Sequence, residues 1–88
     1  MQELDQVRQE ITHIDQEIAR LLSRRFEAVV KVGKIKAQKQ LAVLDRGRQE
    51  QVLENVRAHS QAEYAPYISD IYQEIMKQAR KYQSQARK

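Results

Sequence analysis

Cysteine is absent from this 88-residue chain. Its absence excludes disulfides and thiolate metal sites and makes a cytoplasmic location the expectation. Glycine occurs twice and proline once; so few breakers, with 41% apolar residues, suit a helical protein, and the 32% charged residues suit a soluble one. The longest apolar run is the four residues 41–44, too short for a membrane span or a signal peptide, so no membrane partner is expected. There is no glycine-rich phosphate loop. His13 and His59 stand alone, without the ligand spacing that a metal site needs, and structural roles are expected for both. Ser23, Ser60, Ser69 and Ser84 have no histidine–acid company visible along the chain. An enzyme built on this sequence lacks obvious nucleophiles and proton shuttles.

Acids are missing from one stretch in particular. The net charge is +4, and residues 77–88 carry five cations (Lys77, Arg80, Lys81, Arg87 and Lys88) with no acid. This tail alone accounts for the excess. It reads as a solvated helix end whose cations suit the macrodipole. The basic balance also raises a reading of a different class, a helical dimer that binds nucleic acid. That reading requires Arg25 and Lys36 to face outward, and an affinity that falls steeply with salt.

The residues that are present organise a single domain, 1–88. A compact chain of this size buries only roughly 60% of its unfolded surface, so self-association is a common remedy. Residues 3–39 hold no proline and one glycine. Their apolar positions run Leu4, Val7, Ile11, Ile14, Ile18, Leu21, Ala28, Val32 and Ile35, in alternating steps of three and four that mark a heptad seam. Arg25 stands where the series needs an apolar residue. A helix of this length spans roughly 55 Å and cannot fold back on itself. Gly33 costs it about 1 kcal/mol relative to alanine, a cost whose usual explanation is a closely packed neighbour.

Residues 40–44 break the pattern. Asp45 reads as the N-cap of a second helix over roughly 46–58, with Val52, Leu53 and Val56 on one face. Residues 59–65 read as a loop. Pro66 suits the first turn of a third helix that runs to about Tyr82, with Ile68, Ile71, Ile75 and Met76 facing inward. The expected fold is therefore all-α, one long N-terminal helix plus two shorter ones. Pairing two long helices covers the seam, so a homodimer is expected.

Each helix also places a polar group on an apolar face. Arg25, Val29, Val32 and Lys36 follow one another at i, i+4, i+7 and i+11, hence on one side of the first helix. Two readings stay open at this point. The cations bracket an anion pocket floored by valine, or they lay their stems on the core and their heads in water. Gln49 shares the apolar face of the second helix, with Arg48 one step around. Gln83 extends the line Tyr72, Met76, Ala79 on the third, and a buried amide needs hydrogen-bond partners.

The stretches "LDQVRQEITHIDQEIARLLSRRFEAVVKVGKIKAQ" and "LDRGRQEQVLENV", followed by a last helix that carries Gln83, resemble the all-helical chorismate mutases from about Leu4 to Gln83. The most specific elements are R-x-x-I-x-x-I-D at Arg8–Asp15, L-L-x-R-R at Leu21–Arg25, V-G-x-x-K at Val32–Lys36 and D-x-x-R at Asp45–Arg48. The resemblance implies an intertwined homodimer with two shared sites. It also implies a Claisen rearrangement of the dicarboxylate chorismate to prephenate in aromatic amino acid biosynthesis, with no cofactor, metal or covalent intermediate. Carried over by position, Arg8 and Arg25 clamp the substrate carboxylates, and Lys36 approaches the ether oxygen and a carboxylate. Gln83 donates to that ether oxygen, Arg48 adds positive potential near the ring carboxylate, and Asp45 and Gln49 sit by the ring hydroxyl. Docking to another enzyme of aromatic biosynthesis is a further partner that the resemblance allows.

Three positions depart from the family pattern: Gln49 replaces a common glutamate, Ala79 a common serine and Ala42 a common proline. An isochorismate-pyruvate lyase of the same fold is the nearest rival, and the acid at Asp45 favours the mutase. Arg8 and Arg25 lie 17 residues apart, roughly 25 Å along one helix. If both grip one substrate, Arg8 has to come from a second subunit.

Overall fold

The heptad stripe becomes one unbroken helix, α1 (Gln2–Gln38), in a computed structural model that describes residues 1–87. Lys88, the last cation of the tail, lies outside the described residues. Glu3 and Asp5 occupy the first turn of α1 and Lys36 the last, the charge order that the helix dipole favours. Its 37 residues account for the 56 Å long axis of the molecule at about 1.5 Å per residue.

The helix stops by a Schellman turn. The amide of Leu41 donates to the carbonyl of Lys36 at 2.7 Å and that of Gln40 to Ala37 at 3.1 Å. The turn needs a left-handed residue, and Gln40 supplies it at φ 58° where glycine is the usual choice. The chain then runs back over the end of α1 into α2 (Arg46–Ala58). Asp45 caps α2 as expected: its Oδ1 accepts from the amide of Arg48 at 3.0 Å.

After a short turn the third helix, α3, spans Ala65–Ala86 with proline in its first turn. It outruns the expected end at Tyr82 by a full turn. The reason is tertiary: Gln83 is buried against α1, and Arg87 donates to the carbonyl of Leu41 at 2.9 Å, tying the end of α3 to the loop that leaves α1. Among the described residues all regular structure is helical.

Helix α3 packs against both α2 and α1. Its buried line is Ser69, Met76, Ala79 and Gln83, with half-buried Tyr72 completing the stripe. Ile71 corrects the expectation of an inward position. It lies about 100° around the helix from Tyr72, off the stripe, and is 60% exposed. Phe26 of α1 meets Tyr82 edge-on at 5.9 Å, and Arg57 of α2 donates to the buried Ser69 hydroxyl at 3.4 Å.

The described chain is far from self-sufficient. Its radius of gyration is 16.2 Å, against about 12 Å for a compact domain of this length. It exposes 7494 Å², about 2,100 Å² more than the about 5,400 Å² typical of a folded monomer of this mass. Exposed apolar side chains contribute to it along the chain, among them Ile35, Leu41, Tyr67 and Ile71, and the longest continuous series lies on the first half of α1. Val7, Ile11, Ile14, Ile18 and Leu21 are each about half exposed, from 48% to 53%, because α3 crosses only the second half.

Candidate functional site

Where α3 meets the C-terminal half of α1, the polar residues of the apolar faces converge. A cavity of about 290 Å³ is lined by Arg25, Val29, Val32 and Lys36 from α1, Val43 and Asp45 from the connecting loop, Arg48, Gln49 and Val52 from α2, and Met76, Ala79, Arg80 and Gln83 from α3. The valines and Met76 form the floor and the charged groups stand around it. The i, i+4, i+7, i+11 spacing on α1 thus produces one wall. Arg25 and Lys36 are half-buried, not the outward pair that a nucleic-acid surface requires.

Each polar side chain is held by a different device. The guanidinium of Arg25 lies over the ring of Tyr72, 5.5 Å from its centroid, a cation–π contact that orients it across the α1–α3 seam. Lys36 donates from Nζ to the carbonyl of Val43 at 3.0 Å. Its own carbonyl receives the amide of Leu41, so the loop is wrapped on Lys36 at both ends. An ammonium has three donors, so two remain for a ligand.

Gln83 is 8% exposed and donates from Nε2 to the carbonyl of Val29 at 3.0 Å, a contact between residues 54 apart. Only the amide nitrogen can donate to a carbonyl, which settles the orientation of the side chain and leaves its second N–H free. Gly33 makes this approach feasible. A Cβ at that position would lie 3.3 Å from Cγ of Gln83. The closely packed neighbour that the helix glycine implied is therefore Gln83 itself.

Asp45 spends Oδ1 on the cap of α2 and keeps its other oxygen. Gln49 is half-buried and Arg48 exposed at the rim. Of the seven residues singled out in the sequence, six line this one cavity: Arg25, Lys36, Asp45, Arg48, Gln49 and Gln83. Arg8 does not. It stands exposed on the first half of α1, roughly 25 Å along the helix from Arg25.

Arg80 is the residue that sequence reasoning missed. It was absorbed into the basic tail as a solvated cation, yet it is half-buried and lines the cavity. The signal was its spacing, four residues after Met76 and three before Gln83, on the edge of the same stripe. Ser23, Ser60, Ser69 and His59 are otherwise occupied. Ser23 Oγ donates to the carbonyl of Ala19, Ser60 Oγ to that of Val56, Ser69 accepts from Arg57, and His59 Nδ1 lies 2.8 Å from the carbonyl of Asn55. Among the described residues no three histidines or acids gather as a metal site, and no helix is long and apolar enough to cross a membrane.

Cations on an apolar floor with a fixed amide donor make a receptor for a small organic anion. They can orient it and stabilise charge that develops on an oxygen. The family model described as chorismate mutase type II matches residues 7–84. No curated protein and no solved structure matches the chain.

Proposed function

The chain belongs to the type II chorismate mutase family, and we propose that it converts chorismate to prephenate in aromatic amino acid biosynthesis. The observation that carries this reading is the cavity itself: Arg25, Lys36 and Arg48 surround the anchored amide of Gln83. The reaction is a concerted rearrangement in which the ether C–O bond breaks as a new C–C bond forms. It needs no nucleophile, which suits a lining without serine, threonine, cysteine or histidine.

Two contributions suffice. The first is orientation. Arginine forks meet carboxylates bidentately, so Arg25 and Arg48 hold the dianion in the folded conformer in which the two carbons that join lie close. The second is electrostatic. Negative charge grows on the ether oxygen as the C–O bond lengthens. The free N–H of Gln83 and the remaining N–H groups of Lys36 donate to it from fixed positions, within a site walled by valine and methionine. Asp45 accepts from the ring hydroxyl, and Gln49 hydrogen-bonds the same hydroxyl through its amide.

The active form in this proposal is an intertwined homodimer. The surface surplus of about 2,100 Å² per chain falls within the range that obligate dimers bury, and the half-bare seam of α1 supplies the apolar face. Arg8 then completes the cavity of the partner chain. For Arg8 of one rod to reach Arg25 of the other, the rods must run antiparallel about a two-fold axis near residues 16–17, midway between the two arginines.

A direct assay tests the activity: chorismate consumed with prephenate formed is the expected result. Pyruvate released from isochorismate, with chorismate untouched, would instead identify the lyase of the same fold.

A further inference from the structure

We propose that Arg80 is a further substrate-binding residue, gripping a carboxylate of the dianion from the α3 side of the cavity. The inference rests on the mutase reading and adds a ligand contact to it.

Three observations carry it. First, Arg80 is half-buried while Lys77, Gln78 and Lys81 around it are exposed, so it turns toward the cavity and away from the solvated side of the helix. Second, no acid can pair with it along α3. Its neighbours at i−4, i−3, i+3 and i+4 are Met76, Lys77, Gln83 and Ser84, and the ion pair among the described residues joins Arg20 to Glu17. Third, the cavity is over-cationic. Arg25, Lys36, Arg48 and Arg80 face one acid, Asp45, which already spends an oxygen on the cap of α2. Arg25 leans on Tyr72 and Lys36 on the Val43 carbonyl. Arg80 has no such anchor among the described residues, and its planar fork is open to an incoming carboxylate.

The competing account is packing: the methylene stem of Arg80 covers the apolar floor and its charge is idle. Arg80→Met separates the two, because methionine keeps the stem and its helix propensity but removes the charge. The experiment measures chorismate turnover and, by calorimetry, equilibrium binding of prephenate for wild type, Arg80→Met and Arg80→Lys. The expected result for Arg80→Met is a rise of about tenfold in both KM and the prephenate Kd, with kcat within about twofold of wild type. Arg80→Lys falls between the two. The salt dependence of KM becomes shallower in Arg80→Met, since a charge has left the cavity.

Unchanged KM and Kd in Arg80→Met, with an active wild type, would overturn the assignment and leave the mutase reading intact. Equal losses in both variants with an unaltered salt dependence would also overturn it, because the loss would not follow the charge. A wild type that neither converts chorismate nor binds prephenate would overturn the mutase reading and take Arg80 with it.

Discussion

The two halves of α1 carry one heptad stripe, yet they meet different surroundings. From Leu4 to Leu21 the stripe is purely apolar and stands about half exposed. From Arg25 to Lys36 the stripe is interrupted by cations, and those cations are half-buried against α3 and the loop. The cations Arg25 and Lys36 are therefore more buried than the apolar residues of the stripe, including Val32 at 45% and Ile35 at 52% exposed in their own half. The difference separates two jobs. In the proposed function the first half is the face that a second copy covers, and the second half is the wall of the substrate cavity. The inward cations are held by local contacts, Arg25 over the Tyr72 ring and Lys36 on the Val43 carbonyl.

The largest test of this contrast strikes the bare half. Ile14→Asp puts a carboxylate near the middle of the seam, where burial without a partner is costly. The expected outcome is loss of the dimer in analytical ultracentrifugation and a fall in turnover of about 100-fold or more, because each cavity loses its Arg8 donor.

Lys36→Ala and Arg25→Ala strike the other half. Each is expected to lower kcat/KM by about 100-fold or more while sedimentation stays unchanged. Wild-type rates in either variant would remove that residue from the proposed site. A third experiment joins the halves: Arg8→Ala mixed with Arg25→Ala. Random exchange yields heterodimers with one intact cavity of two, so activity should recover to about a quarter of wild type. No recovery after verified subunit exchange would argue against a shared cavity.

Gly33→Ala should act more gently. The added methyl raises helix propensity by about 1 kcal/mol but presses on Gln83 at 3.3 Å. Turnover is expected to drop several-fold, to about tenfold, with little change in Tm. The smallest effect belongs to Gln40→Gly at the left-handed end of α1. It should stabilise the protein in denaturant titrations by about 0.5–1 kcal/mol and leave kcat unchanged.

Much of this architecture is legible from local rules. The steps of three and four mark α1, Asp45 announces α2, and Pro66 sits in the first turn of α3. The stripe positions of Arg25, Lys36, Gln49 and Gln83 point to one place, and all four line one cavity; that the cations grip a ligand there belongs to the proposed function. Other features had no local signature. Gln40 takes a backbone region that its residue type rarely adopts. Ile71 reads as apolar and therefore inward, yet it misses the contact stripe. Arg80 reads as one more cation of a basic tail. Gln40 is set by the local turn that ends α1, whereas for Ile71 and Arg80 the deciding neighbours lie across a helix interface, and spacing within one helix does not reveal which edge of a stripe they will cover.

By itself, then, the order of residues determined three helices, their approximate ends and the surfeit of apolar surface on the first, because caps, breakers and periodicity act over a few residues. Tertiary structure alone decided that Lys36, Gln83 and Arg80 line one cavity. That convergence depends on where α3 crosses α1, on the glycine that lets it come close, and on a loop folded back over a single lysine.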